Sequence, residues 1–134
     1  VATGGIPHGA LLADNLNLPF VYIRNSVKKH GRKNRVEGIV QKGANVLVVE
    51  DLVSTGKSSL SAIEPLLELE CNISGLISIF NYNFPETKKT IEEKKIKYKS
   101  LCNYNTLIQV AIEEKFISKK ELDFLETWNK KFKF

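Results

Sequence analysis

Cysteine is scarce in this chain. Cys71 and Cys102 are the only two in 134 residues. They lack the spacing of a zinc site and suggest no disulfide framework, so a reducing cytoplasm is the expected compartment. Long apolar runs are missing as well: none approaches the roughly 20 residues that span a bilayer. The opening residues, Val1 to Gly5, show neither the basic stretch nor the apolar block of a secretory leader. Repeats, low-complexity tracts and proline-rich linkers are absent.

What is present points to one domain with a real core, since 43% of the residues are hydrophobic. The net charge is +5 and the pI about 9.2, which raises the question of nucleic acid. The cations, however, fall largely in two places. One set (Lys88, Lys89, Lys94, Lys95, Lys130, Lys131) reads as the solvated face of helices. The other (Lys28, Lys29, Arg32, Lys33, Arg35) lies in a polar loop from Asn25 to Gly38. No aromatic ring is interleaved there to stack bases, which weighs against single-strand binding. A structureless stretch of that length in a small domain is expected to be functional.

Strand and helix patterns alternate along the chain and predict an α/β fold with a mostly parallel sheet. Val1 and Ala2 read as the tail of a strand. A helix is expected from about His8 to Asn15, and strands at Phe20–Arg24 and, shorter, at Gly38–Gln41. The central strand is Asn45–Asp51. The helix from about Lys57 to Glu70 contains Pro65, which predicts a kink or break. A strand at Ile73–Phe80, a charged helix from Pro85 to about Lys94 and a short strand at Ile96–Leu101 follow. Two terminal helices are expected, Tyr104–Glu114 and Ser118–Trp128. Ser118 with Glu121 three residues on has the form of a capping box.

Residues 46–59, VLVVEDLVSTGKSS, carry the most chemistry. A buried strand ends in two adjacent carboxylates, Glu50 and Asp51. A hydroxyl- and glycine-rich turn (Ser54, Thr55, Gly56, Ser58, Ser59) leads into a helix. Backbone N–H groups at a helix N-terminus favour a phosphate, and the carboxyl end of a strand is the usual ligand crevice of an open α/β sheet. Amides on a phosphate and carboxylates on sugar hydroxyls would account for the combination. Gly56-Lys57-Ser58 is not a P-loop, because the required earlier glycine is replaced by Asp51. The plainer alternative is a core strand followed by an ordinary capped helix, which leaves the paired carboxylates unexplained. A second glycine pair, Gly4-Gly5 in Thr3-Gly4-Gly5-Ile6-Pro7, follows the first strand and could form an anion nest.

The segment 46–59 resembles the phosphoribosyl-diphosphate signature of type I phosphoribosyltransferases. Together with VATGGIPHGALLAD (1–14), YIRNSVKKHGRKNRVEG (22–38) and IFNYNFPE (79–86), it looks like orotate phosphoribosyltransferase over residues 1 to about 112. The resemblance implies an open, mostly parallel sheet flanked by helices, as one domain over residues 1–134. It implies transfer of the 5-phosphoribosyl group from phosphoribosyl diphosphate to orotate, giving orotidine 5-phosphate and pyrophosphate in pyrimidine synthesis. A purine-type phosphoribosyltransferase and a non-catalytic sensor of phosphoribosyl diphosphate are the alternatives. Family members carry further N-terminal elements, including a hood over the base, which this chain is expected to lack.

Residue by residue, the resemblance assigns pyrophosphate to Thr3, Gly4 and Gly5. The loop there often has a non-proline cis peptide, expected at Thr3–Gly4. Glu50 and Asp51 would hold the ribose hydroxyls. Leu52, Val53, Ser54, Thr55, Gly56, Lys57 and Ser58 would form the 5-phosphate cradle, with Ser54 also reaching orotate. Arg24, Lys28 and His30 match catalytic cations that offset charge on the leaving group, and losing one such donor typically costs about 3 to 4 kcal/mol. Gly31 and Gly38 would hinge a lid that closes over the neighbouring subunit of a homodimer. Magnesium is the implied cofactor, held mainly by substrate oxygens, with no dedicated protein metal site. One branch of the family binds the orotate carboxylate with an arginine near Tyr82 and Phe84; here there is none. Trp128 is expected to pack rather than bind.

Overall fold

The structure is a computed structural model that describes residues 1–24 and 35–132. The elements are α1 (Gly5–Leu16), β1 (Tyr22–Ile23), β2 (Val36–Glu37), β3 (Asn45–Val53), α2 (Lys57–Glu68), β4 (Asn72–Asn81), α3 (Pro85–Glu93), β5 (Tyr98–Asn103), α4 (Tyr104–Glu113) and α5 (Lys119–Lys131). Strands β3, β4 and β5 form a parallel sheet in that order, and β1 pairs antiparallel with β2. The α/β architecture with a parallel sheet is the expected one.

Parallel strands covered by crossover helices carry continuous apolar runs, and β3 and β4 have them. Val48, Val53 and Leu76 are buried in the core, with Ala62, Ile63 and Leu66 of α2 and Ile91 of α3 packed over them. α2 runs on through Pro65 as one helix, so of the expected kink or break the break does not occur. α3 begins with Pro85 in its first turn, where a missing N–H costs nothing. Ser118 and Glu121 form the expected capping box at the start of α5.

Two expectations fail near the loop. The strand expected at Phe20–Arg24 contracts to Tyr22–Ile23, and the one at Gly38–Gln41 is replaced by Val36–Glu37. Val36 is buried and sits opposite Ile23. Gly38, at φ +118°, then turns the chain out of the extended region.

Residues 1 and 2 lie between β3 and β1. The Val1 amino group donates to the Val49 carbonyl (2.7 Å), and the Ala2 N–H donates to the Ile23 carbonyl (2.8 Å). An apolar cavity of about 580 Å³ continues along the same line, bounded by Val21 and Ile23 on one side and Val46 to Val49 on the other. The C-terminal helices close over the far end of β4 with aromatic rings. Trp128 meets Phe84 at 5.9 Å, Tyr104 at 5.8 Å and Phe132 at 5.3 Å between centroids. Its role there is packing.

Candidate phosphosugar site

Three segments meet at the carboxyl end of β3. The first is the turn at Thr3–Gly5 that opens α1. Its closeness to β3 can be read from what a side chain would meet. A Cβ built on Gly4 would lie 2.0 Å from Oδ2 and 2.4 Å from Cγ of Asp51, and one built on Gly5 would lie 2.6 Å from the Val49 carbonyl oxygen. Both glycines are therefore required by close approach. Gly4 has φ −66° and ψ −31°, so its need is steric and not conformational. The cis peptide bond is at Ala2–Thr3, one bond before the expected Thr3–Gly4.

The second segment is the end of β3 itself. Successive strand residues point to opposite faces, and Glu50 and Asp51 obey this. Asp51 projects toward Gly4 on the α1 side and is partly exposed. Glu50 projects toward α2 and is 4% exposed, with Ser59 Oγ donating to its Oε1 at 2.9 Å. Burial pushes the Glu50 carboxyl above the usual carboxylate range, and the Ser59 hydroxyl pulls it back. The two acids thus sit at one strand end but not side by side.

The third segment is the turn 54–56 and the start of α2. Gly56 is the N-cap, at φ +76°, and carries no side chain to cap the first turn. The N-terminus of α2 thus opens directly after the end of β3, the kind of position that favours an anion. Thr55 Oγ1 accepts from the Lys57 N–H at 3.3 Å. Lys57 and Ser58 are exposed, Ser54 and Thr55 half-buried, and Leu52 42% exposed, whereas Val53 is core. The turn is tied down from α3: Thr87 Oγ1 donates to the Ser54 carbonyl at 2.7 Å.

Of the expected site residues, Gly4 lies against Asp51 and Gly5 against the Val49 carbonyl, and the turn 54–58 leads from the end of β3 into α2. Arg24 follows β1 directly: its backbone N–H donates to the Arg35 carbonyl at 2.9 Å, and its Nε pairs with Glu37 Oε1 at 2.9 Å. Lys28 and His30, with the hinge Gly31, lie outside the described residues. Sequence reasoning missed two contributors. Ser59 counted there among the turn hydroxyls, yet it lies in the first turn of α2 and faces the sheet, 1% exposed. Thr87 had no sequence signal, because its bond to Ser54 spans 33 positions.

A charge buried this way has a thermodynamic consequence. Because the folded protein holds the Glu50 proton more tightly than the unfolded chain, this group's contribution to stability is full below the ordinary carboxylate range and is lost as pH rises through its raised value. Glu50→Gln should therefore raise the melting temperature at about pH 8 and give little gain at about pH 4. A lower melting temperature at the higher pH would contradict the sign.

Residues 1–115 match the phosphoribosyl transferase domain family. Two curated relatives are the orotate phosphoribosyltransferases of Listeria monocytogenes serotype 4b (43% identical over 129 residues, 96% of this chain) and Bacillus subtilis strain 168 (44% over 129 residues, 96% of this chain). The chain spans 62% and 60% of their respective lengths. Among solved structures, orotate phosphoribosyltransferase from Aeropyrum pernix superposes with a TM-score of 0.74 at 28% identity, covering 88% of this chain and 64% of that one.

Proposed function

The chain belongs to the phosphoribosyl transferase domain family, and from that premise we propose that it carries the phosphoribosyl-diphosphate site of an orotate phosphoribosyltransferase. The observation that supports this most is the contact between the Gly4 backbone and the Asp51 carboxylate, beside the amides that open α2. Pyrophosphate would lie on Thr3–Gly5, the ribose hydroxyls on Asp51 and Glu50, and the 5-phosphate on 54–58. A nitrogen of orotate forms a bond to C1 of the ribose as the C1–oxygen bond to pyrophosphate breaks. The leaving electrons stay on pyrophosphate, whose growing charge is met by Lys28 and His30, with Arg24 nearby. Ser54 is the candidate contact to the orotate ring.

Among the described residues no group of three or more His, Cys, Asp or Glu side chains forms a metal cluster. The hard oxygens of Asp51 fit magnesium as one carboxylate partner, the remaining positions falling to substrate oxygens and water. When bound, the ion would neutralise diphosphate charge. We extend the proposal to a homodimer whose loop around residues 25–38 closes over the partner's site, in the cytoplasm. Nucleic acid is not a proposed partner. Among the described residues no helix is long and apolar enough to cross a membrane.

The test is pyrophosphate release with orotate, adenine and hypoxanthine offered in parallel. Turnover with orotate alone is expected. Turnover with purines alone would replace this reading by the purine-type one, and tight binding of phosphoribosyl diphosphate without turnover on any base would favour a sensor.

A further inference from the structure

Arg35 belongs by sequence to the basic loop, yet its guanidinium is engaged within the fold. Half-buried, it donates through Nε to the Arg24 carbonyl at 3.0 Å and through Nη2 to Ser61 Oγ at 3.1 Å. The first bond stays at the β1–β2 ribbon, where the Arg24 N–H donates back to the Arg35 carbonyl at 2.9 Å. The second crosses to α2, the helix that the turn 54–56 leads into. The ribbon is attached at its other side to the opening of α1: the Ala2 N–H, next to the turn Thr3–Gly5, donates to the Ile23 carbonyl at 2.8 Å. A line of contacts thus runs from Ala2 through Ile23, Arg24 and Arg35 to Ser61. It joins the segment given above to pyrophosphate with the helix that follows the segment given to the 5-phosphate.

We propose that Arg35 is a positioning residue that fixes the spacing between these two anion-binding segments, so that one ligand with phosphate at both ends meets both at once. This rests on the phosphoribosyl-diphosphate reading of the site. β3 supplies one link between the segments, since the Val1 amino group donates to the Val49 carbonyl and the same strand continues toward α2. Arg35 supplies a second link that does not pass through β3. A guanidinium suits the task, because its rigid fork of donors can hold two acceptors on different elements at a set separation. When the spacing is held in advance, the second end of a bridging ligand binds intramolecularly and less ordering is left to the moment of binding. A ligand that occupies one segment alone gains nothing from it.

That difference gives the test, on the chain of residues 1–134. Ser61→Ala removes the α2 end of the link without changing any charge, and alanine is the better helix former. By calorimetry it should bind phosphoribosyl diphosphate about tenfold more weakly, the size expected for losing a hydrogen bond to a charged group. Inorganic pyrophosphate and ribose 5-phosphate, titrated separately by NMR, should bind it as they bind the parent. In an Arg35→Ala background Ser61→Ala should have no further effect on phosphoribosyl diphosphate affinity, and the two changes should be less than additive in thermal melting. Parent-like affinity for phosphoribosyl diphosphate in Ser61→Ala would overturn the proposal. So would an equal loss for pyrophosphate or ribose 5-phosphate, which would mean damage to a segment and not to the spacing. Additive melting losses would overturn the Arg35–Ser61 link whatever the ligand. If melting shows the link but the parent binds no phosphoribosyl diphosphate, the functional reading fails, and the spacing role with it.

Discussion

Gly4→Ala is expected to weaken phosphoribosyl diphosphate binding tenfold to about a hundredfold while the protein stays folded. The backbone at Gly4 is already right-handed helical, so alanine is conformationally welcome. The obstacle is its methyl group, which would enter within 2.0 Å of Asp51 Oδ2. That obstacle is the end of a side chain, so the carboxylate can swing aside and spare the fold. Asp51 then no longer faces the turn at Thr3–Gly5, and the sugar loses a charged acceptor. Gly5 offers the contrast. Its added methyl would meet the Val49 carbonyl at 2.6 Å, and backbone held in register by its pairing with β4 cannot yield as a side chain can, so Gly5→Ala should damage folding first. Calorimetric titration with phosphoribosyl diphosphate, alongside thermal melting, separates the two. Unweakened binding in Gly4→Ala would remove the pairing of these segments from the site.

The second large effect is expected at His30. Turnover should fall about a hundred- to a thousandfold in His30→Ala, the usual consequence of removing one donor from a developing negative charge. Affinity for phosphoribosyl diphosphate should change far less. The reason lies in when the charge appears: pyrophosphate becomes more anionic only as the C1–oxygen bond breaks, so a cation placed for that moment acts on the rate and little on the ground state. Steady-state turnover compared with equilibrium binding is the measurement. A rate within a few-fold of the parent would take His30 out of the chemistry.

Most of the architecture could be read directly from residue order. The apolar runs of β3 and β4, the proline at the start of α3 and the Ser118–Glu121 box are local signals, and each element fell within a few residues of its expected place. The failures share a cause. Val36–Glu37 looks like polar loop in one dimension and becomes a strand because Ile23 lies opposite it. Ser59 reads as one more turn hydroxyl until the helix carries it round to face Glu50. The divergence of Glu50 and Asp51 was implicit in the two-residue repeat of a strand, but adjacency in sequence suggested a pair acting together. Contacts such as Thr87 to Ser54 leave no trace in composition or spacing, since they are set only when helices pack.

The aromatic closure over β4 has a practical consequence. The chain contains a single tryptophan, and its ring lies against Phe84. Phe84 in turn caps α3, the helix whose Thr87 holds the Ser54 carbonyl. Intrinsic fluorescence excited at the indole therefore comes from one known position, two side chains removed from the phosphate turn. The protein carries its own optical reporter of that turn, with no label to attach.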